Sequence, residues 1–310
     1  MKRIVFLALF AAASAFAAET KEANTGSAPA KQITLGLAIP YFGQEFWATV
    51  QKGAEDAAAK AGVQLVVAES YNDPAKQTAQ VESFIASKVA GILLPPANPQ
   101  ALAPVVQEAN QADIPVIGVD TKVAGGKETS FVASDNITVG EIAGKYIVDR
   151  LNGKGNVFIG TWPQNQSTLD RVVGLKNVLS KNPDIKIVAE QVAKLPPDTT
   201  AQAEDVFTAY TNIDAFFGIA DVQTLPFWKV AKERGINNKI FFVGVDATKE
   251  GLAAVAENSG YAATVAQQPY DMGRIAVETA LAIANGQKVE EYIEVPVTLV
   301  TLKNLKEFVK

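Results

Sequence analysis

The sequence predicts an α/β protein of two similar lobes, each a doubly wound parallel sheet. Three observations carry that prediction. The chain has 310 residues, too many for one small core and enough for two lobes of roughly 100–150 residues each. Apolar residues make up 48% and charged residues 20%, the balance of a globular chain and not of a disordered one. From Gln32 onward, short β-branched runs alternate with longer amphipathic stretches. Strands separated by helix-length segments need crossover connections, and these build parallel sheets covered on both faces.

The elements follow in two series. The first holds strand candidates at Ile33–Ile39, Gln64–Ala68, Gly91–Leu94, Pro115–Val119 and Ser130–Ala133. The second holds Asn156–Gly160, Ile185–Glu190, Ala215–Ile219, Ile240–Val245 and Ala262–Ala266. Between them, apolar residues recur three and four apart, as in Phe46-Val50-Ala54-Ala57, Ile142-Tyr146-Ile147-Leu151 and Met272-Ile275-Ala276-Ala280, the spacing of a helix face. Asn72-Asp73-Pro74 puts a capping side chain ahead of a helix-compatible proline. Ser167-Thr168-Leu169-Asp170 resembles a capping box with Asp in place of Glu and predicts a helix start there. The two halves change over near Ser134-Asp135-Asn136. The last stretch, Val289 to Lys310, has two strand-like runs around Pro296; it is too short for a domain and is expected to return and cap the lobes.

Composition removes whole classes of chemistry. Lys and Arg number 28 against 33 Asp and Glu, a net charge of −5, which argues against a nucleic-acid or anionic-membrane binder. With no Cys there are no disulfides, thiolate nucleophiles or Fe–S clusters. With no His the Ser-His-Asp triad and the usual Zn or Fe ligand are missing. No metal or cofactor is expected.

Met1-Lys2-Arg3, the apolar run Ile4–Ala13 and Ala15-Phe16-Ala17 have the order of a secretory signal, with cleavage expected after Ala17. Its apolar length of about 15 residues falls short of the roughly 20 that span a bilayer. Ala18 to Lys31 is small and polar, an unpacked leader. No Cys follows the signal to take a lipid, so the mature chain is expected free in a periplasm.

In parallel sheets ligands sit beyond the strand C-termini, where helix N-termini point. The first strand runs into Pro40-Tyr41-Phe42-Gly43-Gln44-Glu45-Phe46-Trp47, four aromatics within seven residues. One or two of them belong to a core staple, and ring faces beside Gln44 also suit a sugar ring. Asp120 and Asp246 each end an apolar strand, one in each half; each is either the cap of a following helix or a carboxylate that accepts two hydroxyls. Arg171 stands in the first turn of a helix, where its charge opposes the dipole, and its fork can donate to hydroxyls. Gln267 ends the last strand of the second series and both donates and accepts.

Ile-Pro-Val-Ile-Gly-Val before Asp120, Phe-Val-Ala-Ser-Asp-Asn at Phe131–Asn136, Val-Gly-Val-Asp at Val243–Asp246 and Ala-Thr-Val-Ala-Gln at Ala263–Gln267, four motifs in order, resemble the ribose-binding-protein-like branch of periplasmic sugar-binding proteins. The resemblance covers about Ile33 to Val300. It implies a type I periplasmic binding protein fold, two lobes on a three-strand hinge that close on one sugar, with lobes at 32–134 plus 268–296 and 135–267 plus 297–310. It implies ligand contacts at Gln44, Phe46, Trp47, Asp120, Arg171, Asp246 and Gln267. Thr121 stands where the family's ribose binders usually carry Arg. Ala220, followed by Asp221, stands where a ligand-binding Asn is usual. The ring-stacking aromatic expected near Lys194–Pro197 is replaced by Trp162 or Trp228. Each directional hydrogen bond lost is worth about 0.5–1.5 kcal/mol, which points from ribose toward another pentose, a hexose, a polyol or a furanose-like signal. Thr121, Tyr41, Trp162, Asn165 and Asp221 join the ligand candidates, although Asp221 also suits a helix cap ahead of Pro226.

The partners implied are the sugar or polyol, a membrane permease of an ABC importer and a chemoreceptor, with the chain a monomer that binds no nucleic acid. Three other readings compete with this one. A sugar-processing enzyme would use Asp120 and Asp246 as acid and base, and the chain is expected not to be one. A lactose-repressor-type regulator would carry a DNA-binding segment where the export signal stands. A same-fold binder of an amino acid or nucleoside would want a dedicated cation, for which Arg171 is the candidate.

Overall fold

The structure, a computed structural model, describes residues 32–163, 165–194 and 198–309. The expected signal peptide over residues 1–17 and leader over 18–31 lie outside the described residues, as do residues 195–197 of the segment where the resemblance implies a stacking aromatic.

The first series folds as β1 (Thr34–Ile39), α1 (Glu45–Ala61), β2 (Gln64–Glu69), α2 (Pro74–Ala86), β3 (Gly91–Leu94), α3 (Ala103–Gln111), β4 (Val116–Val119) and β5 (Ser130–Ala133). The second comprises α4 (Asn136–Arg150), β6 (Gly155–Thr161), α5 (Gln166–Leu179), β7 (Ile185–Val192), α6 (Asp198–Ala209), β8 (Ala215–Gly218), α7 (Asp221–Glu233), β9 (Phe241–Val245), α8 (Lys249–Glu257) and β10 (Tyr261–Ala266). Then come α9 (Pro269–Ala284), β11 (Tyr292–Glu294), β12 (Thr298–Val300) and a 3-10 turn at Leu305–Glu307.

Two six-stranded sheets result, ordered β11-β5-β4-β3-β1-β2 and β12-β10-β9-β8-β6-β7. Every pairing is parallel except β10 with β12. Central strands such as β3, β4 and β8 are buried throughout, as a sheet covered on both faces requires, so they are continuous apolar runs instead of alternating ones. In the first lobe Val50 and Ala54 of α1 meet Met272 and Ala276 of α9 under one face, and Val81, Phe84, Val105 and Val106 of α2 and α3 fill the other. In the second lobe α4 and α5 bring Val139, Ala143, Val172 and Leu175 to one face, and Phe207, Phe216, Phe227 and Phe242 cluster on the other.

The chain passes between the sheets three times: from β5 into α4, from β10 into α9, and from β11 to β12 across Pro296. All three passages leave from the β11/β5 side of one sheet and the β12/β10 side of the other. The two strand-like runs of the tail thus extend both sheets.

Local starts follow the sequence at Pro74, where Asp73 accepts from the backbone N–H of Ala75 and Lys76. The capping box expected at Ser167–Asp170 is not formed. Helix α5 begins earlier, at Gln166, so Asp170 falls two residues too deep to reach back and instead accepts from Gln166 Nε2 at 2.7 Å. Thr168 Oγ1 turns to Asn165 O at 2.8 Å and to Trp162 O.

Candidate functional site

The site begins at two matching strand ends. Past β4 the Asp120 N–H bonds to Val132 O of β5 at 2.9 Å, and past β9 the Asp246 N–H bonds to Val265 O of β10 at 2.8 Å. Each peptide therefore still belongs to its sheet. Each residue then takes a positive φ, 64° for Asp120 and 104° for Asp246, which turns the chain and its carboxylate out of the ladder. Among non-glycine residues Asp tolerates that region comparatively well. Neither caps a helix: Asp120 leads into a loop toward β5, and the cap of α8 is Thr248, which accepts from Gly251 N.

Arg171 rises from the first half of α5 and is 4% exposed. Nε donates to Asn136 Oδ1 at 2.8 Å and Nη1 to Ile219 O at 2.6 Å, while Nη1 lies 3.8 Å from Asp246 Oδ1. Gln267 Nε2 donates to the same Asp246 oxygen at 2.8 Å. The guanidinium is thus aimed by Asn136, the first residue of α4, whose own Nδ2 donates to Ser134 O at 3.1 Å. Neither Asn136 nor Ser167 stands out in the sequence as a site residue, because each acquires its role from a partner 35 or 46 positions away.

These groups face a cavity of about 290 Å³ between the lobes, which also takes in Gln44, Phe46, Trp47, Trp162, Asn165 and Asp120. Phe46 and Trp47 meet edge to face at 4.9 Å between centroids. Gln44 and Asn165 hold the N-cap positions of α1 and α5, yet neither side chain caps its helix; both line the cavity. Sequence reasoning also missed the apolar wall of Pro96, Ala97, Ile219 and Val222, which carries no polar signature to mark it.

Burial pushes the Asp120 carboxyl up to about 6, against the opposing pull of Arg171 and of the Thr121 hydroxyl. Burial also raises Asp246, again opposed by Arg171 and by Gln267. Asp120 Oδ1 and Gln267 Oε1 are buried acceptors with no hydrogen-bond partner among the described residues. Unmatched buried acceptors are costly, and hydroxyl donors from a ligand would satisfy both.

Four candidates fall elsewhere. Thr121 is buried behind Asp120: its hydroxyl donates to Asp120 Oδ2 at 2.9 Å and lies 3.3 Å from Ser167 Oγ across the lobes. Tyr41 is 37% exposed, with its ring packed over Gly43 and outside the cavity lining. Asp221 is fully buried and neither caps α7 nor faces the cavity. It accepts from Tyr261 Oη at 2.6 Å, Thr264 Oγ1 at 2.9 Å and Thr248 N and Oγ1 at 2.9 and 3.1 Å, tying α7, α8 and β10 together. Trp228 belongs to the second core and donates to Ser259 O at 2.9 Å, which leaves Trp162 as the aromatic that lines the cavity from this lobe.

The sequence matches a periplasmic binding protein domain over residues 35–288. It is 32% identical over 288 residues to the ribose import binding protein RbsB of Bacillus subtilis, covering 91% of each chain. Among solved structures, an ABC transporter solute binding protein of Bacillus halodurans with bound myo-inositol superposes with a TM-score of 0.84 at 27% identity, covering 89% of this chain and 97% of that one. A periplasmic solute binding protein of Actinobacillus succinogenes with bound D-allose gives 0.83 at 26% identity, covering 89% and 100%.

Proposed function

The chain belongs to the periplasmic binding protein domain family, and from that membership we propose that it holds one small neutral polyhydroxylated ligand, a monosaccharide or polyol, between its lobes. The observation that carries the reading is the meeting of two strand-end carboxylates, Asp120 from one lobe and Asp246 from the other, around one cavity that Arg171 and Gln267 share. Asp120 Oδ1 and Gln267 Oε1 would accept from ligand hydroxyls and the Arg171 fork would donate, while Phe46, Trp47 and Trp162 would cover the C–H faces of the ring. A ligand that bonds to both lobes favours their closed arrangement over any open one.

The three passages act in this reading as the hinge, between lobes 32–134 plus 268–296 and 135–267 plus 297–310. The mature chain, cut after Ala17, would work as a monomer in the periplasm, docking closed on an ABC permease or a chemoreceptor. It releases its sugar unchanged. A dedicated amino-acid binder is disfavoured: Arg171 is the one cation among the described lining residues, and it is already engaged by Asn136, Ile219 and Asp246.

Isothermal titration of the mature chain with D-ribose, D-allose, myo-inositol and a wider pentose, hexose and polyol panel tests this. At least one member should bind at micromolar Kd or tighter and be recovered chemically intact. No heat from the whole panel, or a converted sugar, overturns it.

A further inference from the structure

The cavity gathers its carboxylates and buried unpartnered acceptors at one end and most of its apolar side chains toward the other, and the order of the strands dictates it. Along the second sheet, from the hinge side outward, β10, β9, β8 and β6 present Gln267, Asp246, then Ile219 and Ala220, then Trp162. Along the first, β4, β3 and β1 present Asp120, then Pro96 and Ala97, then Pro40 with Phe46 and Trp47 beyond it. Both lobes therefore grade in the same direction. The unpartnered acceptors Asp120 Oδ1 and Gln267 Oε1 both belong to the hinge end. At the outer end Gln223 gives Nε2 to Ala193 O at 2.6 Å and Thr168 gives its hydroxyl to Trp162 O and Asn165 O. Gln44, Asn72, Asn165 and the Oε1 of Gln223 remain there as partners for a few hydroxyls.

Resting on the reading above, we propose that the ligand is itself two-ended: a ring whose hydroxyls crowd one edge and whose opposite edge carries a methyl or bare methylene, a 6-deoxyhexose being the simplest case. A hydroxyl placed against the apolar side chains of Ile219, Ala220 and Val222, away from Arg171, would be desolvated for no matching hydrogen bond, and such a group costs enough to weaken binding by roughly tenfold or more. Titration with matched pairs decides it: D-fucose against D-galactose and L-rhamnose against L-mannose. In at least one pair the deoxy sugar binds about tenfold tighter or more, and Ala220→Asn, which adds an amide at an N-cap position where Asn is well tolerated, narrows or reverses that ratio while melting normally. Parents that bind as tightly as their deoxy partners in both pairs overturn the inference, as does binding of D-ribose, D-allose or myo-inositol with neither deoxy sugar bound; in both cases the proposed function still stands. Silence from the whole panel removes the proposed function, and this inference with it.

An independent contact carries a second inference. The Lys249 N–H, at the start of α8 in the second lobe, donates to both carboxylate oxygens of Glu45 in the first, at 3.3 and 3.2 Å. Glu45 stands between two cavity residues, Gln44 and Phe46, and Lys249 three residues after Asp246. A carboxylate on a helix N-terminus is favoured by the unpaired N–H groups and the helix dipole together. We infer that Glu45 is a latch across the mouth of the cleft which holds the lobes together before any sugar contributes. The chain has no Cys, so spin labels at Ala75→Cys and Ala201→Cys, on the outer helices α2 and α6, report lobe separation in protein without sugar. Glu45→Ala should lower the closed fraction by roughly two- to fivefold, the range expected of an exposed charge at a helix end, with Glu45→Gln between. Salt at 1 M should open the parent protein and leave Glu45→Ala unmoved. Identical distance distributions for parent and Glu45→Ala, with unchanged melting, overturn the latch.

Discussion

In the proposed function Asp120 serves the ligand as an ionised acceptor, yet its burial favours the neutral acid. Its carboxyl is pushed up to about 6, Asp221 and Glu128 to about 7, and Asp246 upward too, all chiefly by burial. In an unfolded chain such groups titrate near 4. Between about pH 4 and 7 the folded protein therefore holds more protons than the unfolded one, and its stability falls as pH rises through that window. Without sugar, the melting temperature is expected to be higher at pH 5 than at pH 7.5; the reverse order contradicts the assignment. Sugar affinity should move the other way and weaken below about pH 6, where Asp120 Oδ1 loses its charge, a trend that titrations at pH 5 and 7.5 read directly. Asp221→Ala strands the hydroxyls of Tyr261 and Thr264 and the N–H of Thr248 in the core, and denaturant unfolding should show a loss of about 3 kcal/mol. Asp120 and Asp246 were legible because each ends an apolar strand, a purely local pattern. Asp221 was not, since its partners lie 27 to 43 positions away and nothing nearby in the chain distinguishes it from a helix cap.

Helices α4 and α5 cross where each carries a glycine. A Cβ on Gly140 would stand 2.0 Å from Arg171 O, and one on Gly174 2.0 Å from Ile137 O. In the first lobe α1 and α9 repeat the device, with Gly53 against Tyr270 O and Gly273 against Val50 O, both at 1.9 Å. Backbone cannot yield as a flexible side chain does, so alanine must push the helices apart. Gly140→Ala should cost about 1–3 kcal/mol, the usual range of overpacking, and should also weaken sugar binding because the obstructed carbonyl is that of Arg171. A neutral thermal melt with unchanged binding would contradict the role given to this crossing. Most strands were legible to within a residue or two, because a strand buried on both faces is a bare apolar run whatever it packs against. The start of α5 misled, since Ser167, Thr168 and Asp170 have the composition of a cap two positions too late, and Thr168 spends its hydroxyl on the loop before it. The glycine crossings were illegible, as no single helix shows which glycine meets a neighbour.

At the scale of the molecule, the tail is what finishes both sheets. β12 covers the outer edge of β10 through Thr264–Val300, Val265–Leu299 and Ala266–Thr298, and Val300 is wholly buried. A chain ending at Pro296 would expose a parallel edge strand directly before Gln267, and such edges recruit other chains. Size-exclusion chromatography is expected to show that truncation aggregating or self-associating, and a well-behaved truncation that still binds sugar would contradict the role given to β12. The likeness of the two halves was visible from the order of strands and helices, and the two runs around Pro296 read as strand-like; the three passages between the lobes came only from the family resemblance, because a three-residue strand such as β11 or β12 is too short to announce its sheet.

The core of the first lobe has a consequence in time as well as in space. One of its two faces closes only when Met272, Ala276, Val277, Ala280 and Val295 join residues as early as Leu35, so a growing polypeptide has released nearly all of itself from the ribosome before that face is covered. Contacts so distant in sequence are slow to make. Until α9 arrives, that side of the leading sheet stands partly bare.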